Sequence, residues 1–120
     1  MMKEIAAEKR RVVNLRDATF DEDIEGETGT GILQLNPHAE SAVGFYIYRM
    51  APGASSTPHH HLGVEEFYVI DGELTDHDGV TYRTGDVVWL DGGTEHYSTS
   101  ATGCTVAVFS EKGEKAPEAS

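Results

Sequence analysis

Basic residues are scarce in this chain: nine Lys and Arg stand against 21 Asp and Glu, for a formal charge of −12. Phosphate backbones are bound by clustered Lys and Arg, so nucleic acid is excluded as the expected partner. Cysteine is almost absent. With Cys104 alone no intrachain disulfide can form, and a reducing compartment, the cytoplasm, is the expectation. No histidine neighbours Cys104 in sequence to activate it, so it reads as a small buried apolar residue. Long hydrophobic runs are missing too. No window approaches the roughly 18 apolar residues of a membrane span, and the opening residues 1–8 hold no apolar stretch of the signal-peptide kind. No membrane is expected. A length of 120 residues leaves room for one core and one domain.

Glycine is plentiful, at 13 residues, and short segments rich in Val, Thr and Tyr alternate with turn signals, which is the pattern of an all-β fold. Residues 1–10 read as a flexible N-terminal tail with at most a short helical turn, 11–110 as a barrel, and 111–120 as a flexible, charged C-terminal tail. Residues 12–15 and 31–35 read as strands, separated by an acidic, Gly/Thr-rich loop over 17–31. Further strands are expected over 44–50, 64–70, 73–76, 80–82, 86–90, 96–99 and 104–110, with Asp71-Gly72 and Asp78-Gly79 as hairpin turns. Several of these strands are apolar on both faces, so one face requires cover from a second sheet or a second subunit.

The chemistry concentrates in two segments. On a strand, residues i and i+2 share a face, so His59 and His61 converge while His60 points away. Leu62-Gly63 permits a reversal, and Glu65 then opens the next strand beside them. Two imidazoles and a carboxylate on adjacent strands make a three-ligand site for a divalent ion. His96 arrives from a distant strand through Gly92-Gly93 as a fourth ligand. A run of three histidines alone is an ordinary polar loop; the spacing to Glu65 and His96 is what turns it into a site. Glu66 and Glu95 fall on the opposite faces, and His38 and His77 sit in loop and turn contexts. Phe67 and Val69 share the face of Glu65 and can line a pocket, as can either Phe45 and Ile47 or else Tyr46, Tyr48 and Met50. Arg49 is suited to bidentate capture of a carboxylate or enolate, or equally to a surface salt bridge.

These segments resemble the paired motifs of the cupin superfamily. The first matches in full at Gly53, His59, His61, Glu65 and Gly72; the second matches at Gly85, Gly93 and His96 and departs at Asp91 and Ser100, where proline and asparagine are usual. The motifs span about 40% of the chain. Within the superfamily, residues 73–79 and 85–90 are similar to ChrR-type cupins, a group that includes the zinc-binding domain of ChrR anti-sigma factors and acetylacetone-cleaving dioxygenases. Glu65 departs from the all-histidine site known in those dioxygenases, and no sigma-binding helical domain precedes the motifs. The resemblance implies a single-domain cupin-type double-stranded β-helix, a jelly-roll barrel holding one divalent ion (Fe, Zn, Mn or Ni), with a small-molecule ligand and a homodimeric state. It implies a dioxygenase-like oxidoreductase if the ion is Fe(II), and an isomerase, cyclase or lyase with Zn, Mn or Ni; the alternative is a non-catalytic metal-containing sensor.

Overall fold

The computed structural model describes residues 1–118. Among the described residues, beyond one 3₁₀ turn at Ala7–Lys9, every regular element is a strand: β1 (Thr30–Leu33), β2 (Gly44–Met50), β3 (Ala54–Ser55), β4 (His59–His61), β5 (Glu65–Asp76), β6 (Thr81–Arg83), β7 (Val87–Leu90), β8 (Glu95–His96), β9 (Ser98–Ser100), β10 (Cys104–Ser110) and β11 (Glu114–Lys115). All pairings are antiparallel. One sheet runs β1-β2-β10-β5-β9-β3, with β6 and β7 also bonded to β5, and a small sheet runs β11-β4-β8. Among the described residues no helix is long and apolar enough to cross a membrane.

The organising element is β5. Its first half pairs with β10 and β7, and its second half with β6 and β9, so one 12-residue strand belongs to both walls of the barrel. The expected hairpin at Asp71-Gly72 does not form, because the chain runs straight on. A register shift against β10 leaves Ile70 as an extra residue, since Thr105 faces Asp71 and Val106 faces Val69. One inserted residue reverses the alternation of a strand. Glu65, Phe67 and Val69 point inward before the bulge, and Leu74 and Asp76 after it. Gly72 adopts φ +82° here, and a Cβ on it would collide with the Gly103 carbonyl. The Asp78-Gly79 turn does form, closing the β5–β6 hairpin through the Asp76 N–H bond to the Val80 carbonyl.

Two further expectations fail. Residues 12–15 form no strand; Val13 and Leu15 lie against the outer side of the barrel and enclose, with Ile47, Phe45 and Leu33, a cavity of about 190 Å³. At the other end Glu114 and Lys115 are a strand and not a tail, with Glu114 opposite His61 and Lys115 opposite His60. Ala119 and Ser120, the end of the expected tail, lie outside the described residues.

The core gathers Ile32, Tyr46, Met50, Phe67, Val69, Leu74, Val106 and Val108 between the walls, with Cys104 among them. Burial pushes the Cys104 thiol above its ordinary range, outweighing hydrogen bonds with Ser100 and the Met50 backbone. A raised thiol pKa keeps the group protonated as pH rises, and only the thiolate is nucleophilic. Near pH 8.5, where an ordinary thiol is about half ionised, iodoacetamide should leave the native protein unlabelled over a time that fully labels the urea-unfolded chain. Equal rates would show that the thiol is open.

Candidate metal centre

The three-stranded sheet β11-β4-β8 is built around the site. In its register His59 faces His96 and His61 faces Glu114, while His60 pairs with Glu95 and Lys115 on the opposite side. Alternation therefore sends His59, His61, His96 and Glu114 into the barrel and sends His60 out, where its Nδ1 lies 2.8 Å from Glu95. Glu65 enters from the start of β5. Single ligand atoms from His59, His61, Glu65 and His96 lie within 4.8 Å of one another. His59, His61 and Glu65 are buried.

Hydrogen bonding fixes which nitrogen of each ring faces the centre. His59 Nδ1–H donates to the Thr57 carbonyl at 2.7 Å. The Thr94 hydroxyl donates to the Asp91 carbonyl, so it must accept from His61 Nδ1–H at 2.9 Å. His96 Nδ1–H donates to Asp76 Oδ1 at 2.9 Å. All three Nε2 lone pairs are thus aimed inward. His59 Nε2 and His61 Nε2 sit 3.1 Å apart, and Glu65 places its oxygens 3.0 Å from His61 Nε2 and 3.8 Å from His96 Nε2. Acceptors at such separations repel unless a cation lies between them. The donor set, three imidazoles and one carboxylate, suits a first-row divalent metal, and the cluster could hold one.

The surroundings hold these four side chains in place. Asp76 also accepts from the Ser98 hydroxyl (2.6 Å) and, at its other oxygen, from Tyr82 (2.6 Å). Burial alone would raise the Asp76 carboxyl, but these three donors outweigh it and hold it below its ordinary value. Burial likewise opposes a charge on His96, yet Asp76 prevails and raises that ring; His59, without a carboxylate behind it, is lowered by burial. A carboxylate behind a ligating imidazole typically contributes 10–100-fold to metal affinity. Asp76→Asn should therefore weaken metal binding by about that factor, read by calorimetric titration with Zn²⁺. Unchanged affinity would show that Asp76 does not orient His96.

A cavity of about 300 Å³ opens above the cluster and is lined by His59, Glu65 and His96 among others. Tyr48 and Phe67 line it, as does Tyr46. Val69 is fully buried in the core beneath. Phe45 and Ile47 alternate to the outer face and line the separate cavity under residues 13–15. Arg49 is also outward, its guanidinium 3.9 Å from the Phe20 ring centre, so it meets no ligand in the barrel. Two contributors escaped the sequence reading. One is Asp76, turned inward only by the bulge. The other is Glu114, whose Oε2 lies 3.3 Å from His59 Nε2; burial first, then the Glu65 carboxylate, pushes it up to about 7. Polar composition near a terminus hid it, and the only available signal was its alternation with Lys115.

Solved structures share this architecture. The polyketide cyclase RemF from Streptomyces resistomycificus is 19% identical, with a TM-score of 0.72 over 92% of this chain and 87% of that one. The structure of Rhodobacter sphaeroides SigE in complex with the anti-sigma ChrR matches at 21% identity and TM-score 0.65, over 79% of this chain and 50% of that one. An acetylacetone dioxygenase from Acinetobacter johnsonii matches at 17% identity and TM-score 0.65, over 90% and 76%. No curated protein matches the chain. Residues 8–115 match the ChrR Cupin-like domain, and the chain belongs to that family.

Proposed function

We propose that the protein is a metal-dependent enzyme acting on a small oxygen-bearing organic molecule in the barrel cavity. The observation that carries this reading is the convergence of three Nε2 lone pairs and Glu65 at the wall of a cavity of about 300 Å³. A divalent ion held by these four side chains would supply Lewis acidity at the cavity wall, and Fe(II) would add redox chemistry. Phe67, Leu74, Val106 and Val108 give the cavity apolar walls, which exclude water and favour the carbon skeleton of an enol or diketone. The similarity to acetylacetone dioxygenases supports dioxygenase chemistry with Fe(II); the similarity to a cyclase supports a non-redox reaction with Zn, Mn or Ni. Protein loaded anaerobically with Fe(II) should consume oxygen when given enolisable 1,3-dicarbonyls. Absence of turnover with every metal and every member of such a panel would instead favour a non-catalytic sensor, the reading closest to the ChrR relationship.

We further propose that a second copy covers the outer face of the β2-β10-β5-β7 wall. Phe45, Phe109, Tyr68, Val87 and Trp89 are all exposed there, and the register joins them, with Phe45 opposite Phe109 and Tyr68 opposite Val87. An aromatic and aliphatic surface of this kind, interrupted by Glu66 between Phe109 and Trp89, marks an interface. Light scattering should give twice the 13.0 kDa chain mass, and Trp89→Lys, which places a charge on this surface, should return the mass to that of one chain. A wild-type mass of 13.0 kDa would refute the dimer.

A further inference from the structure

Four ligands account for one side of the centre. On the cavity side stand two groups that the ligand set does not use. Glu114 lines the cavity beside His59 and keeps 38% of its side chain accessible. Tyr46 lines it as well and is 6% exposed. The Tyr46 hydroxyl has no hydrogen-bond partner among the described residues, and since no buried side-chain oxygen is left unsatisfied, it opens onto the cavity. Tyr48, by contrast, is committed: its hydroxyl donates to Glu27 at 2.7 Å, and Glu27 also accepts from the Thr30 hydroxyl and the Thr57 N–H. Burial, then Glu65 and Glu114, hold the Tyr46 phenol well above its ordinary range, so it remains a donor.

The rest of the polar rim has one sign. The acidic loop between the N-terminal segment and β1 is laid over the cavity and contributes Asp21, Asp23, Glu25 and Glu27, and among the described residues no Lys or Arg lines the space. Asp23 is steered by its own N–H donating to Asp21. An anion entering here approaches several carboxylates with no basic side chain to receive it, and in a partly desolvated site that repulsion is weakly screened.

Resting on the proposed function, we propose that Tyr46 and Glu114 are the substrate-holding pair of this site, and that they and the acidic rim select an uncharged ligand with two oxygens. Tyr46 donates a hydrogen bond to one ligand oxygen. Glu114 accepts from a hydroxyl or enol O–H on the other. The two oxygens face the open side of the metal cluster, and the rim rejects the same skeleton carrying a carboxylate. The centre thus acts against the ordinary preference of a divalent cation, which favours the anion.

The test uses full-length protein loaded with Co(II), whose visible spectrum reports ligands that enter its coordination sphere. The probes are methyl 3-oxobutanoate and 3-oxobutanoate, which share a skeleton and differ in charge. The ester should bind at least about tenfold more tightly than the carboxylate. Tyr46→Phe should weaken the ester by about tenfold while Co(II) affinity is retained, because the lost group is a hydrogen-bond donor to the ligand alone. Glu114→Gln should narrow the gap between ester and carboxylate. Carboxylate binding equal to or tighter than that of the ester overturns the inference and leaves the metal-enzyme reading standing. So does wild-type ester affinity in both variants. If neither probe alters the spectrum of protein shown to hold Co(II), the proposed function itself fails and takes this pair with it.

Discussion

Replacing His61 by alanine is expected to weaken divalent-metal binding by about 10²–10³-fold, whereas replacing its neighbour His60 should leave binding unchanged. The magnitude follows from dividing the roughly 10–16 kcal/mol of a four-ligand zinc site among its ligands, with about 1.4 kcal/mol for each factor of ten. The contrast follows from alternation on β4. His61 is 1% exposed with Nε2 in the cluster; His60 faces outward and meets Glu95. The same experiment gives a stability readout. A ligand present at 1,000 times its Kd stabilises the native state by about 4 kcal/mol, so chelation should lower the melting temperature of the wild type, and His61→Ala should keep at most about a third of that metal-dependent shift. Adventitious binding by a histidine run predicts the opposite pattern, with His60→Ala and His61→Ala equally impaired. Equal loss in the two variants would remove the site.

The grouping of His59, His61 and Glu65 was legible in the sequence because it depends on local rules. The spacing of His59 and His61 gives a shared face wherever a strand forms, and Glu65 follows a short reversal. His96 was reached through the glycine turn at Gly92-Gly93 and then matched the second motif, and the β4–β8 register sets it opposite His59. What escaped the reading depends on events remote in the chain. Asp71-Gly72 carries the composition of a hairpin turn, but pairing of β5 with β10 on one side and with β6 and β9 on the other holds the strand straight. Glu114 belongs to a polar stretch with no apolar periodicity, and only pairing with β4 makes it a strand. Phe45, Ile47 and Arg49 were open to either face, because β2 is apolar on both; the outer apolar surface of Ile47 is covered by residues 13–15, which themselves form no strand. Local alternation thus identifies which residues share a face. Which face is inward is decided by partners tens of residues away.

Gly72→Ala is expected to be the most damaging single-methyl change in the barrel, and to damage the metal centre along with it. At φ +82° an alanine is strained, and its Cβ would collide with the Gly103 carbonyl oxygen and come within 2.9 Å of Cys104 Cα. Both obstacles are backbone of β10 and the turn before it, so no side chain can rotate away. Strain of about 1–3 kcal/mol for the dihedral alone joins the cost of separating β5 from β10, for a total of about 3–5 kcal/mol. Against a domain stability of about 5–15 kcal/mol, that should lower the melting temperature by on the order of 10–20 °C. The functional consequence follows from parity. The bulge beside Gly72 is what turns Leu74 and Asp76 inward after Glu65, Phe67 and Val69. If the strand relieves the clash by losing the extra residue, Asp76 rotates outward and His96 loses the carboxylate at its Nδ1. Metal affinity in the surviving folded fraction should then fall by about 10–100-fold, as for loss of that carboxylate directly, although Gly72 touches no ligand. A Gly72→Ala protein that melts within a few degrees of the wild type and holds metal equally well would show that the bulge neither requires glycine nor orients Asp76.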